Sequence, residues 1–435
     1  MNLKPYKLPL ILDNYRRKLL PVTRSSVALV QFHLFGPNRV DEKSAPYNWP
    51  MGLNVEDREH AYIQNPYDTL LKNYTMSSKF KPKRVIVLSK MTRWEIMANR
   101  RVASVDDVLR QKHDQQNAYV DDICDQLKKH EIEVKVVKAY SYSLDAIKNA
   151  ELIISAGGDG TFLTAASLIR DQTPVIGINT DPVGSEGHLC LTGKEDRNVR
   201  EVIDRFLDGN FRFFPRQRIR VTILSTSSDG KSTPQDDAGR EGNFDTKFRS
   251  EEEETIYKHE IVLPLLALNE VFVGESHAAR VSYLEIQFDD GPVYKQKNSG
   301  VIVCTGTGST SWHYNVNRLT EQNFTDIISK MRELGYTVEP PIDNEGIEKL
   351  CQQYNERLIF APDDKKMMYS LRDPVFNCTY PKIPPRGTAS RIRIKSKCSH
   401  AHLTLDGSTS IPFNHGTEVL IELHEKDALQ TALLT

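Results

Sequence analysis

Residues 152–166 read LIISAGGDGTFLTAA. The short apolar run at 152–156 has strand character. It meets two glycines, the carboxylate of Asp159, a third glycine and a threonine, and a helical apolar pattern follows over 161–170. Strand, glycine turn and helix are part of an α/β rhythm that the neighbouring sequence repeats. RVIVLSK (84–90), IEVKVVK (132–138) and PVIGIN (174–179) read as strands, being β-branched and apolar between charges. Val120, Ile123 and Leu127 fall at helical spacing within 116–130, and a short helix is expected at 144–150. Strands alternating with helices predict a parallel, Rossmann-like sheet.

From Arg216 the rhythm changes. RQRIRVTIL has strand period and would set Arg216, Arg218 and Arg220 on one face, solvated or facing phosphate. Residues 229–258 are polar and end in a run of glutamates, which reads as a disordered acidic insertion. Strand-like pieces return at 267–275, 281–290, 299–305, 367–372, 391–395, 401–407 and 418–423, with DDGP (289–292) as a hairpin turn. Helical patterns interrupt at 320–335 and 344–357. The second half is therefore mostly β.

Composition narrows the function classes. Across 435 residues, 57 basic side chains balance 58 acidic ones, which gives no sign of a nucleic-acid or membrane partner. The longest apolar run, IVLPLLAL (261–268), falls short of the ~18 residues a spanning helix needs. The six cysteines form no CxxC, so reduced thiols are expected and no protein metal site is read. His400 and His402 would share a strand face, an arrangement more common for surface histidines than for metal ligands. Residues 1–45 form a leader whose first 40 positions carry seven basic residues, from Lys4 to Arg39, against the single acid Asp13. That pattern suits a mitochondrial transit peptide, or else an ordinary basic arm.

The carboxyl ends of parallel strands are where open α/β sheets bind ligands. Glycines there allow positive φ and close approach of a phosphate, and the following helix start favours an anion. A fixed carboxylate would repel that phosphate. Asp159 makes sense beside it if it faces a hydroxyl, accepting its proton or holding Mg²⁺ during phosphoryl transfer. The same tetrapeptide also makes an ordinary turn with an Asx helix cap. Asn269 and Glu270 interrupt the apolar LNEVFV (268–273), and an amide plus a carboxylate suits ribose hydroxyls if the strand ends or bends there. CTGTGSTSW (304–312) is a glycine- and hydroxyl-rich turn whose N–H and O–H groups suit phosphate or a base edge.

GGDG at 157–160, Asn269–Glu270 and the later Gly308, Ser309 and Thr310, in that order, resemble the NAD kinase family. IGINTDPVGSEGHLCL (176–191), RQRIR and ALNEVFVGES are closer still to its animal mitochondrial branch, and LTLDG (403–407) extends the likeness towards the C-terminus. The resemblance implies an α/β domain (80–210), a β-rich, sandwich-like domain (211–414) that binds NAD, and a segment (415–435) returning to the first domain. It implies transfer of the γ-phosphoryl of ATP, with Mg²⁺, to the 2′-hydroxyl of the adenosine ribose of NAD, in the mitochondrial matrix. Asp159 would be the base. Gly157, Gly158, Gly160, Thr161, Asn269, Glu270, Gly308, Ser309 and Thr310 would contact NAD or ATP, and the protein would be a homodimer. Rival readings are a lipid kinase sharing the glycine loop and a non-catalytic NAD(P)-binding sensor. The chain departs from the family pattern at Ser299, Gly306, Trp312 and the NTDPVGSEGHL stretch.

Overall fold

The computed structural model describes residues 80–99, 107–185, 187–192, 198–226, 257–337 and 341–434. The basic leader and positions 229–256 of the acidic insertion lie outside the described residues, while Tyr257 and Lys258 open a strand. In chain order the first half gives β1 (Arg84–Ser89), α1 (Arg93–Asn99), α2 (Asp107–Lys129), β2 (Glu133–Lys138), α3 (Leu144–Ile147), β3 (Leu152–Ala156), α4 (Asp159–Ser167), β4 (Val175–Ile178), α5 (Val199–Leu207) and β5 (Phe211–Arg216). The strands β1–β4 form one parallel sheet in the order β2-β1-β3-β4. Successive side chains of a strand point to opposite faces, and here both faces are apolar. Val85, Val87, Leu152 and Ile154 pack with Val120 and Ile123 of α2 and Ile203 and Phe206 of α5. Ile86, Leu88 and Ile153 pack on the other face with Phe162 and Ala165 of α4.

The second half gives β6 (Ile219–Thr226), β7 (Tyr257–Val262), β8 (Glu270–Glu275), β9 (Ser282–Phe288), β10 (Val293–Asn298), β11 (Val301–Cys304), α6 (Trp312–Asn317), α7 (Glu321–Glu333), α8 (Asn344–Glu356), β12 (Met367–Leu371), β13 (Arg386–Ala389), β14 (Arg391–Ser396), β15 (Ala401–Leu405), β16 (Thr409–Pro412), β17 (Glu418–Leu423) and β18 (Leu429–Leu434). Two antiparallel six-stranded sheets result, β10-β9-β14-β17-β6-β7 and β13-β12-β11-β8-β15-β16. Their inner residues, such as Ile286, Ile392 and Ile421 on one side and Val271, Val303 and Leu403 on the other, share one core. The insertion joins β6 to its neighbour β7.

The last strand leaves this sandwich. β17 remains in the six-stranded sheet, but β18 pairs with β5 and sends Leu429 and Ala432 into the two cores flanking the parallel sheet. The arginines after β5 fasten this crossing. Arg218, 1% exposed, donates from Nη1 to the carbonyls of Ala166 and Ile169 at 2.7 and 2.9 Å. Its Nε donates to the Asp427 carbonyl at 2.6 Å. A cation there sits against carbonyls at the carboxyl end of α4, where the helix dipole favours positive charge. Arg220 grips the Asp427 carboxylate with both Nε and Nη2, at 2.7 and 2.6 Å. Burial pushes Arg218 down to about 10, and Asp427 opposes that shift. Of the expected arginine face, Arg218 and Arg220 are thus taken up by protein groups. Arg216 stands on the preceding strand, with Nη1 3.3 Å from the Thr307 hydroxyl.

Candidate functional site

β1 lies between β2 and β3, so the direction of strand addition reverses between β1 and β3. The glycine loop leaves β3 at this switch point, at the carboxyl end of the sheet, where α/β folds take ligands. Lys90, following β1, donates its N–H to the Ala156 carbonyl at 3.0 Å, and the Gln116 side chain donates to the same oxygen at 2.9 Å. The expectation of positive φ in this loop fails. None of Gly157, Gly158 and Gly160 is left-handed, and Gly158 caps α4 at φ −83°, ψ −171°. Two of these glycines instead allow close packing. A Cβ on Gly157 would sit 2.3 Å from Thr161 Oγ1, and one on Gly158 would sit 2.4 Å from Ser185 Oγ. Gly160 faces open space.

Asp159 is the first residue of α4. Its carboxylate accepts the Leu189 N–H on Oδ1 at 2.8 Å and the His188 N–H on Oδ2 at 3.1 Å. The positive helix end favours the same charge. Each oxygen keeps a further lone pair, so the carboxylate can still accept a hydroxyl proton. The turn that supplies these N–H groups depends on Gly187, at φ +64°, where a Cβ would lie 2.5 Å from Asn179 Nδ2. Asn179 anchors the turn by donating to the Ser185 carbonyl at 3.1 Å. Burial, with Asp159 alongside, pushes the Cys190 thiol well above its usual range, so it stays protonated.

The second motif sits where a strand begins. β8 starts at Glu270, leaving Asn269 just outside it. Asn269 Nδ2 donates to Ser311 Oγ at 3.3 Å, while the buried Asn269 Oδ1 and Glu270 Oε2 have no hydrogen-bond partner. Burial, with Asp406 close by, pushes Glu270 up to about 8, so it is a neutral acid near pH 7. Unmet polar atoms of this kind suit a polar ligand.

The third motif touches the second directly. After β11 a single 3-10 turn, Thr307–Thr310, leads to α6. A Cβ on Gly308 would lie 2.1 Å from the Asn269 carbonyl oxygen, and one on Gly306 would lie 1.9 Å from that of Ala361. Ser309 is fully buried and donates to the Gly306 carbonyl at 2.6 Å, so its hydroxyl shapes the turn. The half-buried Thr310 hydroxyl makes only a 3.4 Å contact with the Thr307 carbonyl. Thus Asn269, Glu270 and Gly308 form one group, and Gly157, Gly158, Asp159 and Thr161 another. Leu268, in the core with Phe162 and Ala165 of α4, links them. Asn179, Gly187, Thr305 and Asp406 go unread as site residues in the sequence, because they act through backbone groups that no motif displays.

The profile of the ATP-NAD kinase N-terminal domain matches residues 81–211. Rat "NAD kinase 2, mitochondrial" is 36% identical over 376 residues, spanning 82% of this chain and 88% of the rat protein. The chain belongs to the NAD kinase family. The Xenopus tropicalis protein of the same name is also 36% identical, over 393 residues that span 82% of this chain and 91% of that protein. Among solved structures, yeast NADH kinase complexed with NADH aligns at 16% identity and a TM-score of 0.48, over 82% of this chain and 84% of that one.

Of this chain's departures from the NAD kinase family pattern, Ser299 donates its N–H to the Arg372 carbonyl at 2.8 Å. Asn298 accepts the Gly300 N–H at 2.8 Å, and Gly300, at φ +117°, lies where a Cβ would strike the Phe272 ring at 2.4 Å. Trp312 packs on Phe272 at 4.9 Å under the Arg372 guanidinium, 5.3 Å from its centroid. The NTDPVGSEGHL stretch is the one that holds Asp159. His402 Nδ1 contacts Ser276 Oγ at 2.5 Å, and among the described residues no group of three His, Cys, Asp or Glu has metal-site spacing.

Proposed function

We propose that this NAD kinase family member transfers the γ-phosphoryl group of ATP to the 2′-hydroxyl of the adenosine ribose of NAD, producing NADP and ADP. The observation that carries the reading is the Asp159 carboxylate. It stands at the tip of the glycine turn, at the sheet's switch point, steadied by two N–H groups and with acceptor capacity left. In the step, Asp159 takes the hydroxyl proton as the ribose oxygen bonds to the γ-phosphorus. The bond from that phosphorus to the bridging oxygen breaks, and ADP leaves with the electron pair. Mg²⁺ enters with ATP as part of the substrate and neutralises the triphosphate. The orphaned Asn269 Oδ1 and Glu270 Oε2 support a ribose contact, and the open face of Gly160 leaves room for phosphate.

The proposed division is an α/β domain at 80–210, a sandwich domain at 211–414 and a C-terminal segment beyond. The leader is proposed to direct the protein to the mitochondrial matrix, in keeping with the mitochondrial names of the relatives, and the assembly is proposed to be a homodimer. The deciding experiment incubates protein and Mg²⁺ with ATP or polyphosphate and with NAD or NADH. NADP formation from ATP and NAD is the expected result, and its absence under every donor and acceptor pairing would leave a binding role.

A further inference from the structure

Three consecutive N–H groups converge on one carboxylate beside the proposed NAD site. Leu268 donates to Asp406 Oδ2 at 2.7 Å, and Asn269 and Glu270 donate to Oδ1 at 2.8 and 3.0 Å. In a regular strand successive N–H groups alternate direction. Their convergence departs from that alternation, so the backbone is not a regular strand over residues 268–270. Asp406 returns a bond, its own N–H donating to the Glu270 carbonyl at 3.0 Å. It does so from a left-handed conformation, φ +46°, which is uncommon for a non-glycine residue and is tolerated best by Asp and Asn.

The carbonyls of the same segment are held from the other side. The Thr305 hydroxyl donates to the Leu268 oxygen at 2.5 Å, and its N–H donates to the Asn269 oxygen at 2.9 Å. Thr305 Oγ1 also accepts the Gly308 N–H at 3.1 Å, tying the TGST turn to the clamp. Thr305 is fully buried and Asp406 is half-buried under the turn it bonds. Among the described residues, the hydrogen bonds of the Asp406 side chain go to residues 268–270, so its geometry serves that segment.

We infer that Asp406 and Thr305 are positioning residues for NAD, an acceptor and a donor that fix the backbone of residues 268–270 so that Asn269 and Glu270 meet the ribose in one geometry. The inference rests on reading that pair as the ribose contact. A misplacement of the order of 1 Å in a positioned substrate is enough to cost about 100-fold in rate.

The test measures NADP formation by the full chain with NAD and ATP varied in turn. Asp406→Asn keeps the side-chain shape but sets an amide N–H₂ against a backbone N–H. Thr305→Val removes the hydroxyl. Each is expected to raise KM for NAD by about 10- to 100-fold while KM for ATP stays within about twofold. A purely structural role would lower the folded fraction and leave both KM values in place. Unchanged KM for NAD in a folded variant, or parallel rises in both constants, overturns the inference. If Asp406→Asn does not fold, Thr305→Val decides. Asn269→Ala separates the two ideas. If it leaves KM for NAD unchanged, the ribose assignment fails. If it raises that constant and the clamp variants do not, the clamp fails.

Discussion

Replacing Asp159 by Asn keeps the side-chain shape and removes the proton acceptor. A positioned base contributes about 10²–10⁴ in rate, or roughly 3–5.5 kcal/mol. The expected result is a fall in kcat of that size with NAD binding nearly intact, read by steady-state kinetics and calorimetric titration; near-wild-type turnover would remove Asp159 from the chemistry. Glu270 carries a prediction in pH. Burial and Asp406 raise it in the folded protein from 4.5 to about 8. Between those values the folded protein keeps a proton that the unfolded chain releases, so rising pH destabilises the wild type across this window. Glu270→Gln has no such proton. Its thermal midpoint relative to wild type should climb from about pH 4.5 to about pH 8 and then level off. A difference independent of pH would mean that the carboxyl is already ionised in the substrate-free protein. Asp159, Asn269 and Glu270 were legible in the sequence because their side chains are out of place in apolar or glycine-rich surroundings. Asp406 was not, because its target is main chain.

At the scale of the element, the glycine loop separates packing from ligand space. Gly160→Ala adds a methyl group within α4 where nothing lies within 4 Å, so stability should hold or rise by about 0.5–1 kcal/mol. Gly157→Ala forces a Cβ to 2.3 Å from Thr161 Oγ1. That overpacking is expected to destabilise the fold by about 1–3 kcal/mol. If the loop receives a triphosphate, Gly160→Ala nonetheless loses activity, and urea melts beside the NADP assay distinguish the two effects. A stable, fully active Gly160→Ala would take the loop out of the nucleotide site. Strands were readable where one face is buried and the other wet, as in β14 and β15, or where both are buried, as in β3. β10, VYKQKN, escaped recognition because it is a sheet edge whose polar side chains blur the alternation. The strands β5 and β18 escaped too, since only their partners across the chain reveal their role, whereas α5 went unread although Val199, Val202, Ile203, Phe206 and Leu207 lie at helical spacing.

At the scale of the molecule, the C-terminal segment ties the sandwich to the parallel sheet. Deleting residues 425–435 would remove Asp427, the partner of Arg218 and Arg220, and the strand that covers β5. Leu429 is fully buried and Ala432 nearly so. Leaving a buried charge unpaired costs about 3–5 kcal/mol, before counting the exposed core. The truncated chain is expected to lose its cooperative thermal transition, measured by near-ultraviolet circular dichroism; a retained transition would show that the joint is dispensable.

The order of apolar periods and the placement of three short motifs were enough, by themselves, to determine an α/β half followed by a β half and membership of the NAD kinase family, because burial patterns and odd polar residues are written in side-chain type. The surroundings of the site were decided only by the tertiary structure. Asp159 is held by N–H groups from the turn after another strand, and Asn269 is held by a carboxylate 137 residues away in the chain. Every residue but proline carries the same N–H, so its direction follows from folding and leaves no mark in the sequence.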